Sequence, residues 1–116
     1  MSNGLFITGT DTGVGKTIVT AALARALKFR GVKVGVMNPV SAGCAGCNGE
    51  LVSEDAELLA WAAGVELDDD VAPYRLREPI APADAAKKDR VKIDFGRIKE
   101  CYDRLSARYE YVLVEG

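Results

Sequence analysis

Apolar and polar positions divide the chain into strand-like and helix-like stretches. Leu5-Phe6-Ile7-Thr8 is a nearly continuous apolar run between Gly4 and Gly9. That is the pattern of a parallel strand covered on both faces, and it is expected to be central. From Thr17 to Arg30, Val19, Leu23, Ala26, Leu27 and the stem of Arg30 fall at helical spacing, with Gly31 placed as a left-handed stop. Val32 to Met37 reads as a second strand in which Gly35 signals close approach of another backbone, and Asn38-Pro39 ends it. Ser41 to Gly49 is rich in glycine and lacks periodicity, so a loop is expected there.

A second helix is expected from Ser53 as cap to Ala63, with acidic residues in its first turn and Gly64 as terminator. Leu58, Leu59, Trp61 and Ala62 are expected to face the core. Glu66 to Asp70 reads as a solvated acidic connection, and Pro73-Tyr74, Pro79 and Pro82 mark an extended, turn-rich segment reaching about Lys88. Asp94 then caps an amphipathic helix whose Phe95, Ile98, Tyr102, Leu105 and Tyr109 recur at intervals of three and four. Tyr111-Val112-Leu113-Val114 is a third buried-strand run, followed by Glu115-Gly116. Strand, helix, strand, helix, loop, helix, strand predicts an α/β fold: a three-layer parallel sheet with right-handed crossovers and helices on both faces.

Composition narrows the function classes. With 116 residues, 48% apolar and 28% charged, the chain fits a single globular domain or part of one. A net charge of -2 argues against a nucleic-acid surface and favours a small phosphorylated ligand. No apolar run approaches the roughly 20 residues of a membrane span, and the first strand leaves no room for a signal peptide, so a cytoplasmic protein is expected. Cys44, Cys47 and Cys101 are too few for a disulfide scaffold, and the chain has no histidine. Cys44-Ala45-Gly46-Cys47 has no second ligand pair and reads as incidental to a loop.

The chemistry-bearing stretch is Gly9-Thr10-Asp11-Thr12-Gly13-Val14-Gly15-Lys16-Thr17, between the first strand and first helix. It reads as a phosphate-binding loop of the P-loop NTPase-like class. Glycines let main-chain N–H groups converge on an anion, the helix start adds positive potential, and Lys16 reaches the terminal phosphates. Thr10 occupies the position where the usual first glycine falls, which makes the loop irregular. In open α/β sheets, ligands bind at the carboxyl ends of strands. Asn38 to Gly43 and Glu115-Gly116 reach that edge together with the loop. Thr17, Asp55 and Glu115 then offer the hard oxygen ligands that Mg2+ prefers.

Gly-Thr-Asp-Thr-x-Val-Gly-Lys-Thr at 9–17, x-Pro-Val at 38–40, Asp55-Ala56, Pro73-Tyr74 and Val-Leu-Val-Glu-Gly at 112–116 together resemble dethiobiotin synthetase. The resemblance implies a single P-loop nucleotide-binding domain over residues 1–116, forming the N-terminal half of a larger one in a cytoplasmic homodimer. It implies ATP and Mg2+ as cofactors, 7,8-diaminononanoate and CO2 as substrates, and ureido-ring closure in biotin synthesis as the reaction. By motif position, Gly13, Val14, Gly15, Lys16, Thr17 and Ile18 would bind the triphosphate, with Asp55 and Glu115 joining Thr17 at the metal. Thr12 would lie near the carbamate and Ser41 near substrate. Asn38 stands where the family carries a catalytic lysine, which implies a slower synthetase or an altered substrate. Two relatives of the scaffold are the alternatives: a cobyrinate-type amidotransferase synthetase, and the nucleotide-binding regulatory domain fused to some phosphate acetyltransferases.

Overall fold

The computed structural model describes residues 3–7, 14–41, 44–47, 50–77, 87 and 92–116. In chain order the elements are β1 (Asn3–Ile7), α1 (Val14–Phe29), β2 (Val34–Met37), β3 (Val40–Ser41), β4 (Ala45–Cys47) and β5 (Glu50–Val52). There follow α2 (Glu54–Ala63), β6 (Tyr74–Arg75), α3 (Phe95–Arg108) and β7 (Tyr111–Glu115).

Among the described residues, the main sheet is parallel with order β1-β7-β2. Leu5 lies in register with Leu113, and Val36 pairs with the same residue from the other side. β7 therefore takes the middle, not β1, and Leu5 and Phe6 are 42% and 60% exposed. The apolar run in β1 marks a strand correctly, but a short apolar run does not specify which neighbours the strand acquires. Val112 and Leu113, flanked by strands on both sides, have no exposed surface.

α1 packs against α2 and against β2 and β7. Its buried face is made of small residues: Thr17, Thr20, Ala21 and Ala24. Thr20 satisfies its hydroxyl by donating to the Lys16 carbonyl at 2.8 Å. The stripe expected from periodicity, Val19 and Leu23, instead lies exposed beside Ile18. The helix is apolar on two adjacent faces, and the sheet takes the one that lets the backbones approach most closely.

Gly31 and Gly64 end their helices at φ of 85° and 70°, a region where a side chain would crowd the backbone. Ser53 caps α2 and Asp94 caps α3, as the sequence indicates. Leu59 and Ala62 are buried, whereas Trp61 is 66% exposed with the Arg25 guanidinium 5.0 Å from its ring centroid. The tryptophan thus stacks under a cation on the surface and does not fill the core. Along α3, Leu105 and the unanticipated Cys101 are buried, Ile98 and Tyr102 pack against the core, and Phe95 is exposed.

The segment expected to be a loop after Pro39 carries pairing of its own. β3 runs parallel to β6, and β4 pairs antiparallel with β5. Asn38 N donates to Val71 O at 2.7 Å, and Leu76 N donates to Ser41 O at 2.7 Å. The extended chain around Pro73 is thus the partner of residues 38–41 and Cys44, while Pro79 and Pro82 lie outside the described residues. The acidic run is also more than a solvated connection. Asp70 pairs with Arg104 at 2.9 Å, Asp68 with Arg108 at 3.2 Å and Asp69 with Arg75 at 3.3 Å. Asp68 Oδ1 additionally accepts from the N–H groups of Asp70 and Val71.

Candidate nucleotide and metal site

Parallel register brings three chain segments to one edge of the sheet. β1 and β7 end level, with Ile7 opposite Glu115, and Met37 of β2 stands opposite Val114. The start of α1 follows β1, Asn38 follows β2, and Glu115-Gly116 closes β7. Of the predicted loop, residues 9–13, including Thr12 and Gly13, lie outside the described residues; Val14 opens α1, and Gly15 and Lys16 follow in its first turn.

Across this edge, the buried Thr17 Oγ1 donates to Glu115 Oε1 at 2.8 Å. The two residues are 98 positions apart in sequence, and the β1–β7 pairing together with the packing of α1 on β7 brings them together. Glu115 is 5% exposed, and its Oε2 is buried with no hydrogen-bond partner among the described residues. Burial pushes its carboxyl above the usual range and the Asp55 charge adds to this, while the Thr17 hydroxyl and the Lys16 charge pull the other way. Asp55 is half-buried, the second residue of α2, and its charge is felt at Glu115 across the site.

Lys16 donates its Nζ to the Gly116 main-chain oxygen. Sequence reasoning did not find Gly116 as the partner of Lys16, because nothing local links residues a hundred positions apart. Ile18 exposes its side chain, so its part at a phosphate is confined to its main chain. Asn38 and Ser41 are 6% and 4% exposed, and Ser41 Oγ is buried without a partner. The buried Cys44 thiol donates to the Ser41 carbonyl at 3.4 Å, and burial pushes it up and away from thiolate reactivity. A separate pocket of about 350 Å³ lies beside Ser53, Glu57, Asp69 and Arg75 and includes none of the predicted site residues.

A buried carboxylate at the end of a central parallel strand, bonded to a hydroxyl in the first turn of the helix that follows the neighbouring strand, defines a P-loop NTPase-like α/β protein. The orphaned Oε2 of Glu115 and the Asp55 carboxylate, whose charge is felt at Glu115, supply hard oxygen donors and so fit Mg2+. Among the described residues no group of three or more His, Cys, Asp or Glu forms a metal cage. That is consistent with an ion held by one or two carboxylates plus phosphates.

The family model AAA_26, described as an AAA domain, matches residues 3–116, and the chain belongs to that family. It is similar over its whole length to the ATP-dependent dethiobiotin synthetase BioD of Thermodesulfovibrio yellowstonii, with 41% identity and 49% of that protein covered. The protein of the same name from Nitrosospira multiformis is 44% identical, with 50% of it covered. That from Aquifex aeolicus is 40% identical over 97% of this chain and 48% of the relative. The chain thus spans about half the length of the curated relatives it matches. No helix among the described residues is long and apolar enough to cross a membrane.

Proposed function

We propose that this chain is the nucleotide-binding portion of an ATP-dependent dethiobiotin synthetase. The observation that carries this is the buried Thr17–Glu115 pair with Asp55 facing it, at the sheet edge where α1 begins. Whole-chain similarity to proteins named for that activity supports it. The substrates are ATP, CO2 and 7,8-diaminononanoate. One amine attacks CO2 and loses a proton to give a carbamate. A carbamate oxygen takes the γ-phosphoryl group of ATP, releasing ADP, and the second amine then displaces phosphate to close the ring.

This chain's residues position these groups and balance their charge. Residues 13–18 bind the triphosphate, with Lys16 leaving the Gly116 carbonyl to meet it. By motif position Thr12 would act at the carbamate, and Ser41, whose buried hydroxyl has no partner among the described residues, at the substrate. Thr17, Asp55 and Glu115 hold Mg2+, which when bound neutralises developing charge on the phosphates. The active form is a cytoplasmic homodimer in which residues 1–116 are half of a larger protomer.

Asn38 favours a second reading, that of a nucleotide-binding regulatory domain, because an amide cannot supply the charge of a lysine at the phosphates. Calorimetric titration of ATP beside a phosphate-release assay separates the two. The synthetase reading predicts phosphate release that requires diaminononanoate and bicarbonate together. ATP binding with no diamine-dependent release overturns it in favour of the regulatory domain.

A further inference from the structure

Ser53 is the junction that sets the start of α2. The residue is 4% exposed and extended, at φ -94° and ψ 111°. Its Oγ accepts from Ala56 N at 3.1 Å, and its carbonyl accepts from Glu57 N at 3.0 Å. Nearby, Cys44 donates its N–H to the Leu76 carbonyl at 2.8 Å and its thiol to the Ser41 carbonyl at 3.4 Å. The Ser53 hydroxyl therefore closes the first turn of α2.

Asp55 sits in that first turn, two residues beyond Ser53. Among the described residues no hydrogen bond to its carboxylate is present, so the start of α2 sets the point from which that carboxylate reaches the site. The cap is buried, so the first turn of α2, and Asp55 with it, starts from a fixed point in the packed interior. The cap thus fixes one carboxylate of the site relative to the Thr17–Glu115 pair.

We propose that Ser53 is a positioning residue for metal binding, holding Asp55 at the Thr17–Glu115 cluster through its cap on α2. The inference rests on the metal reading given above. Outer-shell groups that orient ligands typically change metal affinity by about 10–100-fold. The cap needs a small oxygen acceptor, which threonine also supplies.

The test measures Mn2+ affinity by electron paramagnetic resonance with ATP present, and ATP affinity by calorimetry in EDTA. Ser53→Ala is expected to weaken Mn2+ binding about 10-fold and to leave ATP affinity in EDTA unchanged, with Ser53→Thr restoring the metal. Asp55→Asn serves as the reference. Mn2+ affinity that holds in Ser53→Ala while Asp55→Asn loses it overturns the positioning role alone. If Asp55→Asn also holds, the metal reading falls with it. Equal losses of Mn2+ and of ATP in EDTA assign Ser53 a merely structural role and overturn the inference as well. Should Ser53→Ala fail to fold, Ser53→Gly carries the same comparison, because glycine is a tolerated cap backbone without the hydroxyl.

Discussion

Replacing Thr17 by valine keeps the side chain's branching and removes one hydroxyl from the centre of the site. Thr17 has no exposed surface, and its Oγ1 donates to Glu115 Oε1 at 2.8 Å, while Oε2 of that carboxylate already lacks a partner. After the change, Glu115 keeps no hydrogen bond from the described residues. A bond to a charged acceptor contributes about 1.5–3 kcal/mol, so a loss of about 2 kcal/mol is expected at pH 8. The loss depends on pH. Burial and the Asp55 charge hold the Glu115 carboxyl above its ordinary value, and removing the Thr17 bond, which favours the charged form, raises it further. For an acid with a raised folded value, the stabilisation from protonation is full below the unfolded value and is lost as pH rises through the folded one. Near pH 4 the hydroxyl bonds a neutral carboxyl, and the loss shrinks to about 1 kcal/mol. Urea unfolding followed by far-ultraviolet circular dichroism at pH 4, 6 and 8 measures this. An equal loss at all three values, or a gain in stability at pH 8, would refute the assigned charge state of Glu115.

Mg2+-dependent ATP binding should weaken as pH falls through the raised Glu115 value, beginning above the usual carboxylate range; Glu115→Gln should abolish that dependence along with most of the metal affinity, and calorimetric titrations across pH check both. Asn38→Lys should raise diamine-dependent phosphate release on the order of 10²-fold, since one electrostatic contact at a transferring group is typically of that size. An unchanged rate would show that Asn38 is not what limits turnover. A Cβ at Gly35 would lie 2.4 Å from Tyr109 Cδ2, so Gly35→Ala should destabilise the fold by about 1–3 kcal/mol. Adding Tyr109→Ala should make the glycine substitution nearly neutral, and urea midpoints of the four variants in the cycle decide it.

The elements most visible in the sequence are those whose signals are local. Ser53, Asp94, Gly31 and Gly64 bound their helices because caps and left-handed terminators depend on a few neighbouring atoms. Gly35 announced a close approach, but of a backbone, whereas it is the Tyr109 ring that approaches. The parallel α/β class followed from the order of apolar runs, and Glu115 meets Thr17 because that class brings strand ends together. What could not be read was choice among equivalents. Periodicity marked α1 but not which of its apolar faces the sheet would take, and it could not tell that β7 would insert between β1 and β2. Trp61 went outward because small alanines around it already fill the α1–α2 contact, leaving its ring to Arg25. The pairing of β3 with β6 spans more than thirty residues, and no local signal in the glycine-rich stretch predicted it.

The Arg25–Trp61 stack also makes the protein its own optical gauge. Arg25 belongs to the helix that presents Lys16 and Thr17, and Trp61 belongs to the helix that presents Asp55. The chain has one tryptophan, so its emission carries a single signal. Any shift of one helix along the other changes the distance between the cation and the indole, and with it the intensity and colour of that emission. Without a label or an added probe, the fluorescence of Trp61 reports how the helix that carries Lys16 and Thr17 stands relative to the helix that carries Asp55.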